Sequence, residues 1–67
     1  MSLKITLNGA DAVVQSDRLD QLLDELGYSG AVVATALNED FVPRAKRPET
    51  TIHDGDRLEV VAPLQGG

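Results

Sequence analysis

The fold is decided by residues 3–15, LKITLNGADAVVQ, which combine two short apolar patterns with a turn dipeptide. The first five residues alternate apolar and polar side chains, and this period of two predicts a strand with one buried face. Asn8-Gly9 is the strongest short hairpin signal, because both residue types tolerate a positive φ. We therefore predict that residues 10–15 return as a second strand beside the first.

A leucine-rich segment after this hairpin predicts a helix. Ser16 or Asp17 is expected to cap its N-terminus by accepting a hydrogen bond from an unpaired backbone N–H. Gly27 is expected to end it, because glycine readily adopts the left-handed conformation. The leucines in between are spaced i, i+3, i+4 and i+7, which places all of them on one face: Leu19, Leu22, Leu23 and Leu26. We interpret this face as the core side of a helix of about ten residues.

The rest of the chain predicts three more extended segments separated by turns. These are residues 31–37 (AVVATAL), the short Phe41-Val42 pair before Pro43, and residues 57–61, with a polar loop over 44–49 and a tight turn at Asp54-Gly55. The order strand, strand, helix, strand, short strand, strand predicts an α+β fold. We expect a β-grasp arrangement: a mixed sheet of four to five strands with one helix across one face, and the first and last strands parallel and central.

The composition describes a small acidic domain. The chain has 67 residues, eleven acidic and six basic side chains, and a formal net charge of −5. A domain of this size buries only about 60% of the surface of its unfolded chain, so there is little room for an internal substrate pocket. Nucleic-acid binders need clustered cations for phosphates. We therefore expect protein partners with basic surfaces and no nucleic acid.

Two absences narrow the class of protein further. The chain has no cysteine, which excludes disulfides, thiolate metal sites and a cysteine nucleophile. No apolar run approaches the length of a membrane span, and no charged-then-apolar leader opens the chain. We expect a soluble cytoplasmic protein without membrane contact.

The polar residues of the turn near the end of the chain form no recognisable catalytic set. His53 is the only histidine, and Asp54 could orient it as a general base, but no serine or cysteine nucleophile accompanies it in a known motif. Asp54-Gly55-Asp56 places two carboxylates around a glycine, without the further donors and closing glutamate of a calcium loop. We expect ordinary turn chemistry here, with no catalytic residue and no metal site.

The sequence closes with APLQGG, residues 62–67. We divide the chain into a folded domain over residues 1–61 and a flexible C-terminal tail over residues 62–67. The tail is either a frayed end without function or the reactive part of the protein. A terminal carboxylate becomes a good acyl donor only after conversion to an acyl adenylate with ATP, and glycine lets the backbone approach closely in a narrow enzyme site. Gly67 is then the modification site and Gly66 the residue that gives access.

The second half of the chain, ALNEDFVPRAKRPETTIHDGDRLEVVAPLQGG, resembles the C-terminal half of the ThiS-family sulfur-carrier proteins of the thiazole pathway. The resemblance rests on Asn38, the Val42-Pro43-Arg44 step, Thr51, the Asp54-Gly55-Asp56 turn and the closing Gly66-Gly67. The opening KITLNG and the leucine helix are similar too, so the resemblance covers nearly the whole chain.

This resemblance implies a ubiquitin-like β-grasp fold and a carrier protein that is not itself an enzyme. Gly67 would be adenylated by a ThiF-type enzyme and converted to a C-terminal thiocarboxylate, with sulfur from a cysteine desulfurase system. A ThiG-type thiazole synthase would receive that sulfur in thiamin biosynthesis. The carrier would bind no cofactor itself, because ATP is used by the adenylating enzyme.

Docking on these partners is predicted at the exposed sheet face and at the base of the tail. The candidate residues are Leu58, Val60, Ala62 and Leu64, with Arg44 as a further candidate unless it pairs with Glu39, Asp40 or Glu49. Two other functions stay open. One is a sulfur carrier for molybdenum-cofactor synthesis or another ubiquitin-like modifier, since both share the fold and the ending. The other is a protein-interaction module whose terminus is inert.

Overall fold

A computed structural model describes residues 2–62 of the chain. It contains five strands, one α-helix and one 3₁₀ helix: β1 Leu3–Leu7, β2 Ala10–Val14, α1 Leu19–Glu25, β3 Ala34–Leu37, β4 Asp40–Val42, the 3₁₀ helix Arg44–Glu49 and β5 Arg57–Val61. Most of the tail predicted over residues 62–67 lies outside the described residues, including Leu64, Gly66 and Gly67.

The strands form one mixed sheet in the order β2-β1-β5-β3-β4. β1 pairs in parallel with β5, and the other neighbouring pairs are antiparallel. The first and last strands are therefore parallel neighbours in the interior of the sheet, as predicted. The predicted fold class, a mixed sheet with one helix, is confirmed.

The β1–β2 hairpin turns at Asn8 and Gly9, which have φ angles of 51° and 84°. Two successive positive φ values define the type I′ turn, whose twist matches that of the flanking strands. The register then pairs Leu3 with Val14 and Leu7 with Ala10. This hairpin confirms the prediction from the Asn-Gly dipeptide, although the second strand ends one residue earlier than expected.

Helix α1 covers one face of the sheet with the predicted leucine stripe. Leu19, Leu22 and Leu23 are buried, and Leu26 is partly buried against them. Together with residues of the sheet and the loop before β5 they form one core: Ile5, Val14, Leu19, Leu22, Leu23, Val42, Ile52, Leu58 and Val60. The spacing of the leucines thus supplies the apolar face that a domain this small needs for stability.

The start of α1 differs from the prediction. The N-cap is Arg18, in an extended conformation, and no side chain caps the helix, so the prediction of Ser16 or Asp17 was wrong. A pairing with the distant loop replaces the cap: the Ile52 N–H donates to the Asp17 carbonyl at 2.8 Å, and the Leu19 N–H donates to the Thr50 carbonyl at 3.0 Å. This pairing holds the chain extended through Arg18, which shortens the helix to seven residues.

The other end of α1 is tied back to the end of β2 by a carboxylate. Glu25 accepts hydrogen bonds from the Gln15 N–H at 2.9 and 3.0 Å and from the Ser16 N–H at 3.0 Å. The Gln15 hydrogen bond, followed by those from Ser16, holds the pKa of Glu25 below its usual value against an opposing effect of desolvation. Glu25 therefore fixes the connection between β2 and the helix.

Two further segments differ from the prediction. The strand expected over residues 31–37 forms only over Ala34–Leu37. Ala34 already pairs with the last residue of β5, Val61, so within the described chain residues 31–33 have no strand partner. The polar loop expected after Pro43 is instead a 3₁₀ helix, Arg44–Glu49, which packs against α1.

Candidate functional site

Strand β5 is the element that leads into the C-terminal segment, and its side chains alternate between the two faces of the sheet. Leu58 and Val60 face the helix and are only 1% and 6% exposed. The prediction that they form a docking surface is therefore wrong, because side chains packed in the core cannot contact a partner. Their neighbours Glu59 and Val61 are exposed on the opposite, open face, and Ala62 is exposed directly after the strand.

The open face carries an apolar surface next to the end of β5, which we name the open-face patch: Val32, Ala34, Phe41 and Val61. Val61 pairs with Ala34 across β5 and β3, so their side chains share a face. Val32, Phe41 and Val61 are 74%, 68% and 60% exposed. This surface includes Val61, the last residue of β5.

The rest of the open face is more polar. It is formed by β2, β1 and the first half of β5 and presents Lys4, Thr6, Asp11, Arg57 and Glu59, with Val13 as the exposed apolar residue at its far edge. The open face and Ala62 are accessible, so docking there stays a prediction, whereas Leu58 and Val60 lie on the side that faces the helix.

Strand β5 is clamped by an asparagine side chain at each end. At its start, Asn38 Oδ1 accepts from the Arg57 N–H at 2.9 Å, and the Asn38 N–H donates to the Arg57 carbonyl at 2.8 Å. Near its end, Asn8 Oδ1 accepts from the Val60 N–H at 2.9 Å, and Asn8 Nδ2 donates to the Val60 carbonyl at 3.2 Å. Both asparagines occupy left-handed turn positions with φ 51°. From the sequence, Asn8 was predicted only as a turn residue, and Asn38 was noted only for the family resemblance. Neither was predicted to bond β5.

Arg44 does not join the open-face patch. It is exposed at the start of the 3₁₀ helix and lines a groove against the side of α1, together with Asp20 and Tyr28. Among the described residues, Arg44 forms no ion pair with Glu39, Asp40 or Glu49; Glu39 instead lies 3.4 Å from Arg57, and Glu49 lies 3.6 Å from Lys46. Its role in docking stays a prediction.

Arg47, which follows Arg44 on the same 3₁₀ helix, has a structural role in the core. Its side chain is buried, donating from Nε to Thr35 Oγ1 at 3.2 Å and from Nη2 to the Val33 carbonyl at 2.6 Å. Thr35 in turn donates to the Val42 carbonyl at 2.8 Å. Arg47 therefore ties the 3₁₀ helix to β3, which a charge pattern alone does not reveal.

The acidic turn after His53 is used within the fold. Asp54 accepts from the Lys4 N–H at 2.6 Å. Asp56 accepts from the His53 N–H at 2.8 Å and from Asn38 Nδ2 at 3.1 Å. The His53 imidazole is 3.9 Å from the Asp56 carboxylate rather than being oriented by Asp54. These carboxylates join β1 and the β3–β4 turn to the start of β5.

Within residues 2–62, no three histidine or acidic side chains lie close enough together to hold a metal ion. No helix in this part of the chain has the length and apolar character needed to cross a membrane.

Comparison with known sequences places the whole chain in one group. The ThiS family model matches residues 5–67. A sulfur carrier protein ThiS of Thermus thermophilus is 36% identical over 63 residues, which cover 94% of this chain and 98% of the relative. A thiazole synthase of Paramagnetospirillum magneticum is 33% identical over 66 residues, 97% of this chain, and the chain spans only 20% of that protein's length.

Solved structures agree on the architecture. The thiamine biosynthesis protein ThiS of Geobacter metallireducens superposes with a TM-score of 0.83 at 29% identity, covering 97% of this chain and all of that one. A complex of molybdopterin-converting factor subunits from Helicobacter pylori gives a TM-score of 0.58 at 23% identity over both full chains, a likeness of fold alone. The family match over nearly all residues, the 36% identical carrier and the shared β-grasp structure establish that the chain belongs to the ThiS family.

Proposed function

We propose that this chain, as a ThiS-family sulfur carrier, acts in the formation of the thiazole of thiamin and carries its sulfur as a thiocarboxylate on Gly67. The observation that carries the proposal is the family match, which continues without a break from Ile5 in β1 through Gly66 and Gly67. The folded body is then a recognition handle, and the reactive group is the carbonyl of Gly67. The chain acts as a co-substrate of other enzymes and not as an enzyme.

The chemistry begins with a ThiF-type adenylating enzyme. The Gly67 carboxylate attacks the α-phosphate of ATP, pyrophosphate leaves, and an acyl adenylate forms. A persulfide sulfur from a cysteine desulfurase system then displaces AMP. This leaves an acyl disulfide. A second thiol attacks its cysteine sulfur, which breaks the S–S bond, releases the thiocarboxylate and forms a new disulfide between that thiol and the cysteine. Glycine at positions 66 and 67 suits this sequence of reactions, because its backbone can pass through a narrow channel without side-chain obstruction.

The open-face patch is the surface that we propose for docking on the adenylating enzyme. It offers three strongly exposed apolar side chains, and one of them, Val61, lies next to Ala62 at the start of the segment leading to Gly67. A contiguous exposed apolar patch on a soluble protein often marks a site of interaction. A partner seated on this patch would therefore have Gly66 and Gly67 within the reach of a short extended chain.

A ThiG-type thiazole synthase is the proposed acceptor of the sulfur. The Paramagnetospirillum magneticum relative supports this assignment, because a protein named thiazole synthase contains a region similar to this chain over about a fifth of its length. Two proteins that act on each other gain effective concentration when they are joined in one chain.

The proposal is tested by incubating the chain with ATP, a ThiF-type enzyme and a sulfur-donor system, and measuring its intact mass. We expect a gain equal to the replacement of one oxygen by sulfur, and no gain in a variant from which Gly67 is deleted. A second ThiS protein known to react with the same enzyme serves as the positive control. An unmodified chain beside a fully converted control would refute the proposal.

A genetic experiment separates the pathways. A strain that lacks this chain should require thiamin or its thiazole for growth and should keep its molybdenum-enzyme activity. Loss of molybdenum-enzyme activity with normal growth in the absence of thiamin would instead assign the chain to molybdenum-cofactor synthesis.

A further inference from the structure

We propose that Asn8 is a positioning residue, whose side-chain amide fixes the place and direction in which the C-terminal segment leaves the sheet. This inference rests on the proposed function, because it concerns the delivery of Gly67 to an adenylating enzyme. It assigns to the hairpin turn at the far end of β1 a role in presenting the tail.

The backbone ladder between β1 and β5 stops short of the end of β5. The Thr6 N–H donates to the Asp56 carbonyl at 3.0 Å, and the Asn8 N–H donates to the Leu58 carbonyl at 2.9 Å. The next step of a parallel ladder would engage Val60, but the chain turns away at Asn8 and Gly9 to form the hairpin.

The Asn8 side chain supplies the missing step. A carboxamide has the donor and acceptor of a peptide group. Here Oδ1 accepts from the Val60 N–H at 2.9 Å while Nδ2 donates to the Val60 carbonyl at 3.2 Å. Both backbone groups of Val60 on the β1 side are therefore satisfied by one side chain 52 positions away in sequence.

This clamp determines how far β5 stays fixed on both sides. Val61 is held from the β3 side through its pairing with Ala34. Without Asn8, Val60 would lose its partner on the β1 side, and the last two residues of β5 would be attached to the sheet on one side only. The point from which the C-terminal segment starts would then be less firmly fixed, with more conformations to restrict.

A less firmly fixed end of β5 lowers the effective concentration of Gly67 in the active site of a docked enzyme. Docking through the open-face patch is affected less, because three of its four residues lie outside β5. The expected signature is a lower kcat for adenylate formation with a smaller change in KM.

Asn38 provides a matched control within the same chain. It has the same φ of 51° and also bonds a β5 backbone N–H through its Oδ1, but it holds Arg57 at the opposite end of the strand. Replacing either asparagine by glycine keeps the positive φ and removes only the side chain. A general loss of sheet stability would affect both variants, whereas a loss of tail positioning would affect Asn8→Gly alone.

The experiment compares the wild-type chain, Asn8→Gly and Asn38→Gly at a temperature where circular dichroism shows all three to be folded. Amide hydrogen exchange is measured at Val60 and Arg57, and pyrophosphate release by a ThiF-type enzyme gives kcat and KM. In Asn8→Gly we expect faster exchange at Val60 and a fall in kcat of about three- to tenfold. In Asn38→Gly we expect faster exchange at Arg57 and a kcat within about twofold of wild type.

Equal kcat values in the two variants, or an unchanged exchange rate at Val60 in Asn8→Gly, would overturn the inference. If Asn8→Gly does not fold, Asn8→Asp takes its place with Asn38→Asp as control. It keeps the acceptor for the Val60 N–H and loses the donor, so a selective fall in kcat supports the clamp and its absence overturns it. Failure of the wild-type chain to release pyrophosphate would be recognised separately, since it rejects the proposed function while the exchange measurement still tests the clamp.

Discussion

The two faces of β5 differ in burial: one is packed in the core and the other is open to solvent. Leu58 and Val60 point into the core, whereas Glu59 and Val61 point out, although all four are neighbours in sequence. In the row containing Val60, the partners Thr35 and Val42 are buried as well. The comparison teaches that a clean apolar alternation identifies the residues that a partner cannot reach.

The largest effect is expected from a substitution on the buried face of β5. Leu58→Ala should lower the free energy of unfolding by about 2–5 kcal/mol, because it removes a fully buried side chain and leaves a cavity. A domain of this size has a net stability of about 3–5 kcal/mol, so much of the protein should be unfolded at room temperature. Urea unfolding followed by circular dichroism measures this. Glu59→Ala is the control, with an expected change within about 0.5 kcal/mol. Equal losses in the two variants would contradict the division of the faces.

The next prediction concerns Arg47, the buried cation that bonds β3. Arg47→Ala should cost about 1–3 kcal/mol, because the Val33 carbonyl and the Thr35 hydroxyl lose a buried donor. Lys46→Ala, which removes an exposed cation 3.6 Å from Glu49, should change the stability by less than about 0.5 kcal/mol. The same unfolding experiment compares the two variants. An unchanged free energy of unfolding in Arg47→Ala would show that the buried hydrogen bonds contribute nothing to stability.

The open face should respond in recognition and not in stability. Val61→Ser should raise KM for the adenylating enzyme about tenfold, equivalent to about 1.4 kcal/mol of binding free energy, with little change in the unfolding midpoint. Val13→Ser is the matched control, because Val13 is also 60% exposed on this face but lies at the far edge. Steady-state pyrophosphate release measures both. A KM that rises equally for Val13→Ser would remove the special status of the open-face patch.

The smallest effect is expected at Glu25, outside both faces, and it depends on pH. Because its folded-state pKa is lowered, the ionised carboxylate stabilises the fold above the unfolded-state pKa. This contribution disappears as the pH falls through the folded-state pKa. Glu25→Gln should therefore have a lower Tm than wild type at neutral pH, and the difference should shrink as the pH falls below about 4. Thermal unfolding between neutral and acidic pH checks this, and a difference independent of pH would argue against a charge effect.

The sequence predicted the local parts of this fold well. The Asn8-Gly9 hairpin, the leucine stripe and the alternation in β5 are patterns in which neighbouring residues determine the geometry. The start of α1 was missed because the Leu19 N–H bonds the distant Thr50 carbonyl and not a nearby side chain. The late start of β3 was missed for a similar reason, since strand length depends on where the partner strands end.

The candidate site was predictable in part. The resemblance identified the family, and Gly66 and Gly67 stay predictions outside the described residues. Leu58 and Val60 were predicted for docking but are buried, because the residues of a strand alternate between its two faces. The Asn8 clamp and the Glu25 contacts could not be predicted, because they join residues that only the tertiary structure brings together.

The interior position of β5 also has a consequence for folding during synthesis on the ribosome. Its parallel neighbour β1 is made first, yet Leu58 and Val60, which complete the core, are among the last described residues to be translated. A nascent chain interrupted before Arg57 has no stable way to bury its leucines and stays a target for proteases. Any copy that displays the folded sheet has therefore been synthesised at least through β5.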